Sequence, residues 1–207
     1  MDVISLYQSG IRNVVASLGT ALTDNQCQLI TRYTKNVVLS YDSDAAGIKA
    51  AIRGIEVMRA SHANVRILQV TGGKDPDEFV KKHGKEDFIK LVNSAVPATE
   101  FSLDILKKKY NLYILSNFHQ PAFEHIFKKY DFFRLFDGHT VSCYYYLLKP
   151  EKEIYDTLIE KFNLIPEETV FIDDTKVNID ACEKEGIRGI HLPDYTELKQ
   201  KLEEFLK

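Results

Sequence analysis

NVVLSYDSDAAG, residues 36–47, is the stretch that decides the fold. Its first six residues are mostly apolar, two of them β-branched valines, and they predict a strand over Asn36–Tyr41. Asp42 and Asp44 follow at once, and apolar residues at helical spacing then predict a helix over Ala45–Ser61. A strand that is followed by two carboxylates and then by a helix is typical of an α/β protein. In such proteins ligands bind beyond the carboxyl ends of the strands.

The same alternation extends outward to both ends of the chain. We therefore predict an α/β, Rossmann-like fold with mostly parallel sheets, flanking helices and right-handed crossovers. The other predicted strands are Asn13–Leu18, Asn64–Val70, Leu112–Ser116, Gly138–Ser142, Thr169–Ile172 and Ile187–Leu192. The other predicted helices are a Thr23-capped helix to Tyr33, Lys85–Ser94, Thr99–Tyr110, Pro121–Lys129, Lys152–Phe162, Asn178–Glu185 and Tyr195–Leu206.

Composition excludes several classes of protein. Of the 207 residues, 44% are hydrophobic and 28% are charged, which excludes wholesale disorder. No apolar run approaches the ~20 residues that cross a bilayer, and three scattered cysteines are typical of reduced thiols. We expect a cytoplasmic protein with no membrane partner.

Charge differs between the two halves of the chain. Residues 1–110 hold 15 basic against 12 acidic side chains, a net charge of +3, and residues 111–207 hold 12 against 18, a net charge of −6. This contrast favours a boundary near residue 110. The total of −3 argues against attraction of the whole protein surface to nucleic acid, so we expect no nucleic-acid partner.

Carboxylates follow three of the predicted strands in pairs. Like charges this close together at a strand exit favour a divalent cation, because oxygen ligands suit Mg²⁺. The alternative is that each is a helix N-cap or part of a solvated loop. The pairs are Asp42 with Asp44, Asp75 with Asp77, and Asp173 with Asp174.

Residues 1–110 resemble the Toprim domain of bacterial DNA primase. The resemblance implies that Asp42 and Asp44 hold Mg²⁺ and that Asp75 contributes nearby. It also implies a catalytic glutamate in a Glu-Gly-Tyr segment before the Met-Asp-Val string, and the sequence begins at that Met. The resemblance rests on MDVI (1–4), ASLGTALT (16–23), SYDSDAAG (40–47) and GKDPDE (73–78).

Residues 111–207 resemble the C-terminal core of a haloacid-dehalogenase (HAD) superfamily hydrolase. The resemblance implies that Ser116, Asn117 and Lys149 bind a substrate phosphate and that Asp173 and Asp174 hold Mg²⁺. No predicted strand in residues 111–207 carries the nucleophilic Asp-x-Asp motif that the family has. The resemblance rests on LSN (115–117), LKPEKEIY (148–155) and FIDD (171–174) with Asn178.

Together the two resemblances predict a chimera with domains 1–110 and 111–207. In one arrangement Asn36–Tyr41 fills the vacant place in a merged sheet, and Asp42, Ser116 and Lys149 become catalytic. In the other, two incomplete layers pack together and the acidic clusters stay apart.

Three functions follow from this chimera. The first is an Mg²⁺-binding α/β protein with little or no catalysis. The second is a phosphatase that acts on a phosphorylated small molecule with Asp42 as the replacement nucleophile. The third is a nucleotidyl-transfer fragment of a primase. If the chain is active, we expect phosphoryl transfer rather than primer synthesis.

One aromatic cluster stands outside both resemblances. It combines Tyr144–Tyr146 with Phe132 and Phe133. We interpret it as packing or an interface, with base stacking as the alternative.

Overall fold

Parallel strand pairs organise both halves of the chain in the computed structural model, which describes residues 2–17, 22–42, 44–59, 61–194, 197–198 and 201–202. The chain divides into two compact units, unit 1 (Met1–Lys108) and unit 2 (Lys109–Lys207). None of the described helices has the length and apolar composition that a bilayer crossing requires.

Unit 1 contains a three-stranded sheet in the order β1-β2-β3. Strands β1 (Asn36–Tyr41) and β2 (Asn64–Gln69) are parallel and in register, from Asn36 opposite Asn64 to Tyr41 opposite Gln69. The two-residue strand β3 (Val96–Pro97) pairs antiparallel with β2. Because β2 lies between the other two strands, β1 is an edge strand.

The helices of unit 1 are α1 (Asp2–Gln8), α2 (Asp24–Tyr33), α3 (Ala45–Arg59), α4 (Pro76–Asn93) and α5 (Ala98–Lys107). They form two apolar cores. One core joins α2, α3 and α5 to β1 and β2 around Met58, which is fully buried. The other joins α1 and α4 to the end of β2 around Phe79.

Unit 2 contains two parallel strand pairs. Strand β4 (Tyr113–Ser116) pairs with β5 (Gly138–Val141), and β6 (Val170–Asp173) pairs with β7 (Arg188–His191). The helices are α6 (Gln120–Lys129), α7 (Ser142–Tyr145), α8 (Lys152–Phe162) and α9 (Lys176–Lys184), with short 3-10 turns at Asp131–Leu135 and Pro166–Glu168. Buried Ile154 and Tyr155 of α8 pack on Phe171 of β6, with Leu115 of β4 against the same core.

The predicted α/β class and most predicted elements are confirmed. Strand β1 and helix α8 have the predicted bounds, and the Thr23 cap is a full capping box with Gln26. The other confirmed strands and helices differ from their predicted ends by a few residues, as is usual where helices fray. The antiparallel strand β3 is the exception to parallel pairing.

Two predictions about unit 1 are wrong. Residues 13–17 form a loop rather than a strand. Val14 packs on a core, but Val15 is 71% exposed, and none of the described residues pairs with this segment as a neighbouring strand. Helix α4 begins at Pro76 rather than Lys85 and continues through a kink at Gly84, whose φ is +82°. Helix α1 was not predicted. Leu18, the end of the predicted first strand, and most of the predicted helix Tyr195–Leu206 lie outside the described residues.

One buried hydroxyl in unit 2 yields a stability test. Thr140 of β5 is fully buried, and its Oγ1 has no hydrogen-bond partner in the part of the chain that the structure describes. A buried hydroxyl without a partner costs about 1–3 kcal/mol. We therefore expect Thr140→Val, which keeps the branched shape, to raise the free energy of unfolding by about 1 kcal/mol in urea titrations.

The matched control is Thr140→Ser, which keeps the hydroxyl and removes the methyl group. It should destabilise the protein, because it loses apolar packing and retains the unpaired oxygen. A Val variant that is less stable than the wild type would show that the Thr140 hydroxyl is hydrogen-bonded in solution.

Candidate functional site

The first group of predicted site residues lies at one edge of the unit 1 sheet. Because β1 and β2 are parallel and in register, their carboxyl ends at Tyr41 and Gln69 lie side by side. Asp42 follows β1 directly and its side chain is exposed. Asp75, which begins α4, follows the loop after β2. The topology thus brings the Asp42 and Asp75 segments to the same edge.

Asp44 and Asp75 both act as helix caps. The backbone N–H of Gly47 donates to Oδ1 of Asp44 at 2.7 Å, and that of Glu78 donates to Oδ1 of Asp75 at 2.8 Å. Each bond satisfies an amide that the first turn of a helix leaves free. Each carboxylate keeps its second oxygen, so capping fixes its position without exhausting its capacity as a ligand.

Gly47 holds the first turn of α3 tightly against the end of β1. A Cβ atom placed on Gly47 would lie 2.0 Å from the carbonyl oxygen of Asp42. No side chain fits at that distance, so only glycine allows this close approach of backbone to backbone. The position of Asp42 therefore depends on the absence of a side chain five residues later.

Asp2 belongs to the same acidic edge, although the sequence did not single it out as a site residue. Burial raises the pKa of Asp2, and the negative charges of Asp75, Asp77 and Asp42 raise it further. Its helix α1 packs on α4. Hydrogen bonds from Lys81, and then from Ser5 of α1, lower the pKa of Asp77. We call Asp2, Asp42, Asp75 and Asp77 the acidic edge.

The acidic edge has the ligand chemistry for Mg²⁺, since its donors are carboxylate oxygens. It is not a preformed cage: across the described ranges, no three Asp, Glu, His or Cys side chains stand close enough to hold a metal ion together. The residues thus fit the metal in kind, and an ion would have to draw the exposed Asp42 inward.

The second group of predicted site residues surrounds Lys149 in unit 2. The Lys149 ammonium donates to Oδ2 of Asp173 at 2.5 Å and to the carbonyl oxygen of Leu115 at 3.2 Å. The two charged side chains are only 10% and 6% exposed. Lys149 therefore connects the carboxyl ends of β4 and β6 through a buried ion pair.

Asn117 positions Lys149 through its backbone. The N–H of Lys149 donates to the Asn117 side-chain oxygen at 2.8 Å, and the Asn117 amide nitrogen donates to the carbonyl oxygen of Lys149 at 2.9 Å. This pair of bonds occupies the amide that was predicted to contact a substrate phosphate. In this structure Asn117 is a positioning residue for Lys149.

Asp173 is fully engaged by protein donors. Its Oδ1 accepts from the backbone N–H of Thr175 at 2.8 Å and from the side-chain amide of Asn178 at 3.0 Å. Burial would raise the pKa of Asp173, but the hydrogen bonds from Lys149, Thr175 and Asn178 outweigh it and lower that pKa. Because protein donors occupy both of its oxygens, Asp173 acts in this structure as the counter-ion of Lys149 rather than as a free metal ligand.

Ser116 and Asp174 remain available. Ser116 ends β4, and within the described part of unit 2 its half-buried hydroxyl forms no hydrogen bond. Asp174 is exposed and accepts only a long bond, 3.4 Å, from the Thr175 hydroxyl, while its backbone carbonyl contacts His191 Nε2 at 3.0 Å. The neighbours Asp173 and Asp174 thus have different environments, one buried and paired and the other open to solvent.

Comparison with known proteins assigns the first half of the chain. Residues 1–80 match the family described as Toprim-like. A DNA primase from Clostridium acetobutylicum is 49% identical over 112 residues, which is 54% of this chain and 19% of that protein. The chain therefore spans about a fifth of the length of this relative. Residues 1–80 thus match a Toprim-like family, and the N-terminal half is similar to bacterial DNA primases, as the sequence predicted.

Solved structures give two further likenesses. The Escherichia coli primase catalytic core matches with a TM-score of 0.51 and 29% identity, over 80% of this chain and 50% of that chain. Unit 1 holds 108 of the 207 residues, so this match includes part of unit 2. A HAD family enzyme from Bacteroides thetaiotaomicron, solved as a magnesium complex, matches with a TM-score of 0.44 and 26% identity, over 59% of this chain and 71% of that chain.

The buried ion pair of unit 2 predicts a pH-dependent stability. Replacing Asp173 with Asn leaves the Lys149 ammonium buried without its counter-ion, which costs about 3 kcal/mol. Because the folded-state pKa of Asp173 is lowered, its contribution is present above the pKa of the unfolded chain and is lost as pH falls through the folded-state pKa. The difference between wild type and Asp173→Asn should therefore be full at pH 7 and shrink below about pH 4.

Urea unfolding followed by circular dichroism from pH 3 to pH 7 measures this difference. Asp156→Asn is the control, since Asp156 pairs with an exposed lysine, Lys152, at 2.9 Å and should cost less than 1 kcal/mol. A constant difference across the pH range would contradict the ionic account of Asp173.

Proposed function

We propose that the chain is a chimera in which a Toprim-type module, unit 1, binds Mg²⁺ at its acidic edge and supports little or no catalysis by itself. The observation that carries the proposal is the placement of the Asp42 and Asp75 segments at adjacent ends of two parallel strands. The Toprim-like match over residues 1–80 covers both segments. The second unit is proposed to derive from a HAD-type hydrolase.

Electrostatics favours a cation at this edge. Asp2 is half-buried and faces three other carboxylates, and this raises its pKa. A divalent ion would neutralise that repulsion and release the energy stored in it. When bound, Mg²⁺ would supply a Lewis acid for phosphoryl oxygens. Asp42 is exposed and lies between β1 and α3, outside any helix, so its carboxylate is free to turn toward the ion.

We propose little catalysis for the matched segment taken by itself. The matched segment is 19% of the Clostridium acetobutylicum primase. Primer synthesis also requires a groove for template DNA, and the chain has a net charge of −3. We expect the matched segment by itself to bind the metal but not to carry out nucleotidyl transfer.

Mg²⁺ titration tests the proposal directly. At ten times its Kd, the ion should stabilise the wild type by about 1.4 kcal/mol and raise Tm by a few degrees in thermal unfolding. Asp42→Asn and Asp75→Asn should each remove most of this shift. Asn caps a helix as well as Asp does, so the Asp75 variant loses the charge and keeps the cap.

Two controls separate binding from general screening. NaCl at equal ionic strength measures the relief of repulsion by salt alone. Asp87→Asn changes an exposed carboxylate of α4 that pairs with Lys90, and it should keep the full Mg²⁺ shift. An equal Mg²⁺ shift in Asp42→Asn, Asp75→Asn and the wild type would defeat the proposal.

A second candidate function is phosphatase activity in unit 2. The observation that favours it is the cationic Lys149, which donates to Asp173 at the end of β6 and to the carbonyl oxygen of Leu115, the neighbour of Ser116 at the end of β4. A cation and a hydroxyl suit the oxygens of a transferring phosphoryl group. The substrate would be a phosphorylated small molecule. Such a reaction also needs a carboxylate nucleophile. Asp173 is held by Lys149, and Asp42 is the residue that the sequence alone predicts for that role.

Hydrolysis of para-nitrophenyl phosphate with Mg²⁺ measures this activity, and we expect turnover that is very slow. Asp42→Asn and Lys149→Ala should suppress it, and Asp75→Asn should matter less. Ser116→Ala is the variant least disturbing to the fold, because the Ser116 hydroxyl has no partner to lose, and it should lower the rate about tenfold or more.

Lys184→Ala, at an exposed lysine in the last turn of α9, should leave the rate unchanged. Turnover that persists in both Asp42→Asn and Ser116→Ala would assign the activity to another group.

A further inference from the structure

Four rings of unit 2 line a cavity that is open to solvent on one side and that no proposed function uses. Its volume is ≈ 220 Å³, and it is lined by Phe123, Phe127, His139 and Tyr144 together with Glu124 and Lys128. Pockets for drug-sized ligands are larger, roughly 300–1,000 Å³, so this cavity suits a single planar ring system.

The walls of the cavity come from three elements, α6, β5 and α7. Phe123 and Phe127 lie one helical turn apart on α6, with ring centroids 5.5 Å apart. The His139 ring of β5 lies 5.3 Å from Phe123 and 5.4 Å from Phe127. Tyr144 of α7 stands edge-on to Phe123 at 6.2 Å. The rings are therefore fixed by one another rather than by solvent-exposed loops.

The rings leave part of their faces open. Phe123 is buried, whereas Phe127 and Tyr144 are 38% and 40% exposed. Burial, and then the charge of Lys161, lower the pKa of His139, which keeps its ring neutral at pH 7. A neutral aromatic wall with exposed faces favours stacking of a flat, neutral ring.

Two opposite charges stand at the rim of the cavity. Glu124 accepts a hydrogen bond from Gln120 at 2.8 Å and keeps its other oxygen as an acceptor. The Lys128 ammonium forms no ion pair with any described residue of the chain. A ligand that combines ring N–H donors with an anionic group would satisfy both.

We propose that this cavity binds the base of a purine nucleotide, with the rings stacked on the base and Lys128 contacting the phosphate. Guanine meets each requirement: its ring and amino N–H groups can donate to Glu124, and its flat surface can lie against Phe127 and Tyr144. Base stacking on aromatic side chains tolerates different bases, so adenine should bind as well, more weakly.

Isothermal titration of the full chain with guanosine 5′-monophosphate tests the site. Tyr144→Leu should weaken binding about five- to tenfold, the range expected when one stacking ring is removed. Tyr146→Leu is the matched control: Tyr146 is 95% exposed, lies two residues away and does not line the cavity. Its affinity should equal that of the wild type.

Lys128→Gln separates the phosphate contact from stacking. It should weaken binding of the nucleotide and leave that of guanosine unchanged. Lys129→Gln, which changes a lysine that lies over the Tyr130 ring at 5.2 Å, should affect neither. Inorganic phosphate alone should not compete for the cavity.

Three results would overturn the proposal. They are no binding by the wild type at millimolar nucleotide, equal weakening by Tyr144→Leu and Tyr146→Leu, or a concentration-dependent dimer that Tyr144→Leu dissociates. The last result would make this face an interface between copies of the chain.

Discussion

Parallel strand pairing is the constraint on which the candidate sites depend. Two neighbouring parallel strands run in the same direction and need a crossover connection between them. Their carboxyl ends therefore lie side by side at one edge of the sheet. The pairs β1/β2, β4/β5 and β6/β7 obey this constraint. Most predicted site residues lie at or shortly after the carboxyl end of a strand, in unit 1 or in unit 2, and the pairing decides which of them become neighbours.

The two units use carboxylates in different ways. In unit 1 the acidic edge gathers like charges, and Asp44 and Asp75 spend one oxygen each on capping a helix. In unit 2 the buried carboxylate of Asp173 already has a cation, Lys149, together with two further donors. Unit 1 therefore places several carboxylates near one another, whereas unit 2 pairs its buried carboxylate with the ammonium of a lysine.

The sequence predicted the elements whose signals are local. Strand β1 was predicted to the residue because an apolar run meets a sharp acidic boundary, and α2 was predicted because Thr23 is a good N-cap. The run Asn13–Leu18 has similar composition, but a strand also needs a partner, and composition cannot supply one. Helix α4 was shortened because Gly84 interrupts the apolar periodicity.

The sites divide along the same line between local and tertiary signals. Asp42, Asp75, Lys149 and Asp173 were predicted from motifs that are contiguous in sequence. Asp2 was missed because its raised pKa comes from burial in the folded unit and then from acids that lie 40 and more residues away in sequence. The bracing of Lys149 by Asn117 spans 32 residues, and no spacing rule predicts it.

Gly47 shows what such a tertiary demand costs the local structure. Glycine within a helix is less favourable than alanine by about 1 kcal/mol, so the local preference at this position is for a side chain. The approach of Asp42 forbids one. Position 47 therefore faces two opposed demands, since helix propensity favours a side chain there and the contact with Asp42 excludes one. Selection for helix stability alone would replace this glycine. If glycine is kept at this position in related sequences, that would indicate selection for the position of the end of β1. This evidence would not depend on any assay for a bound ion.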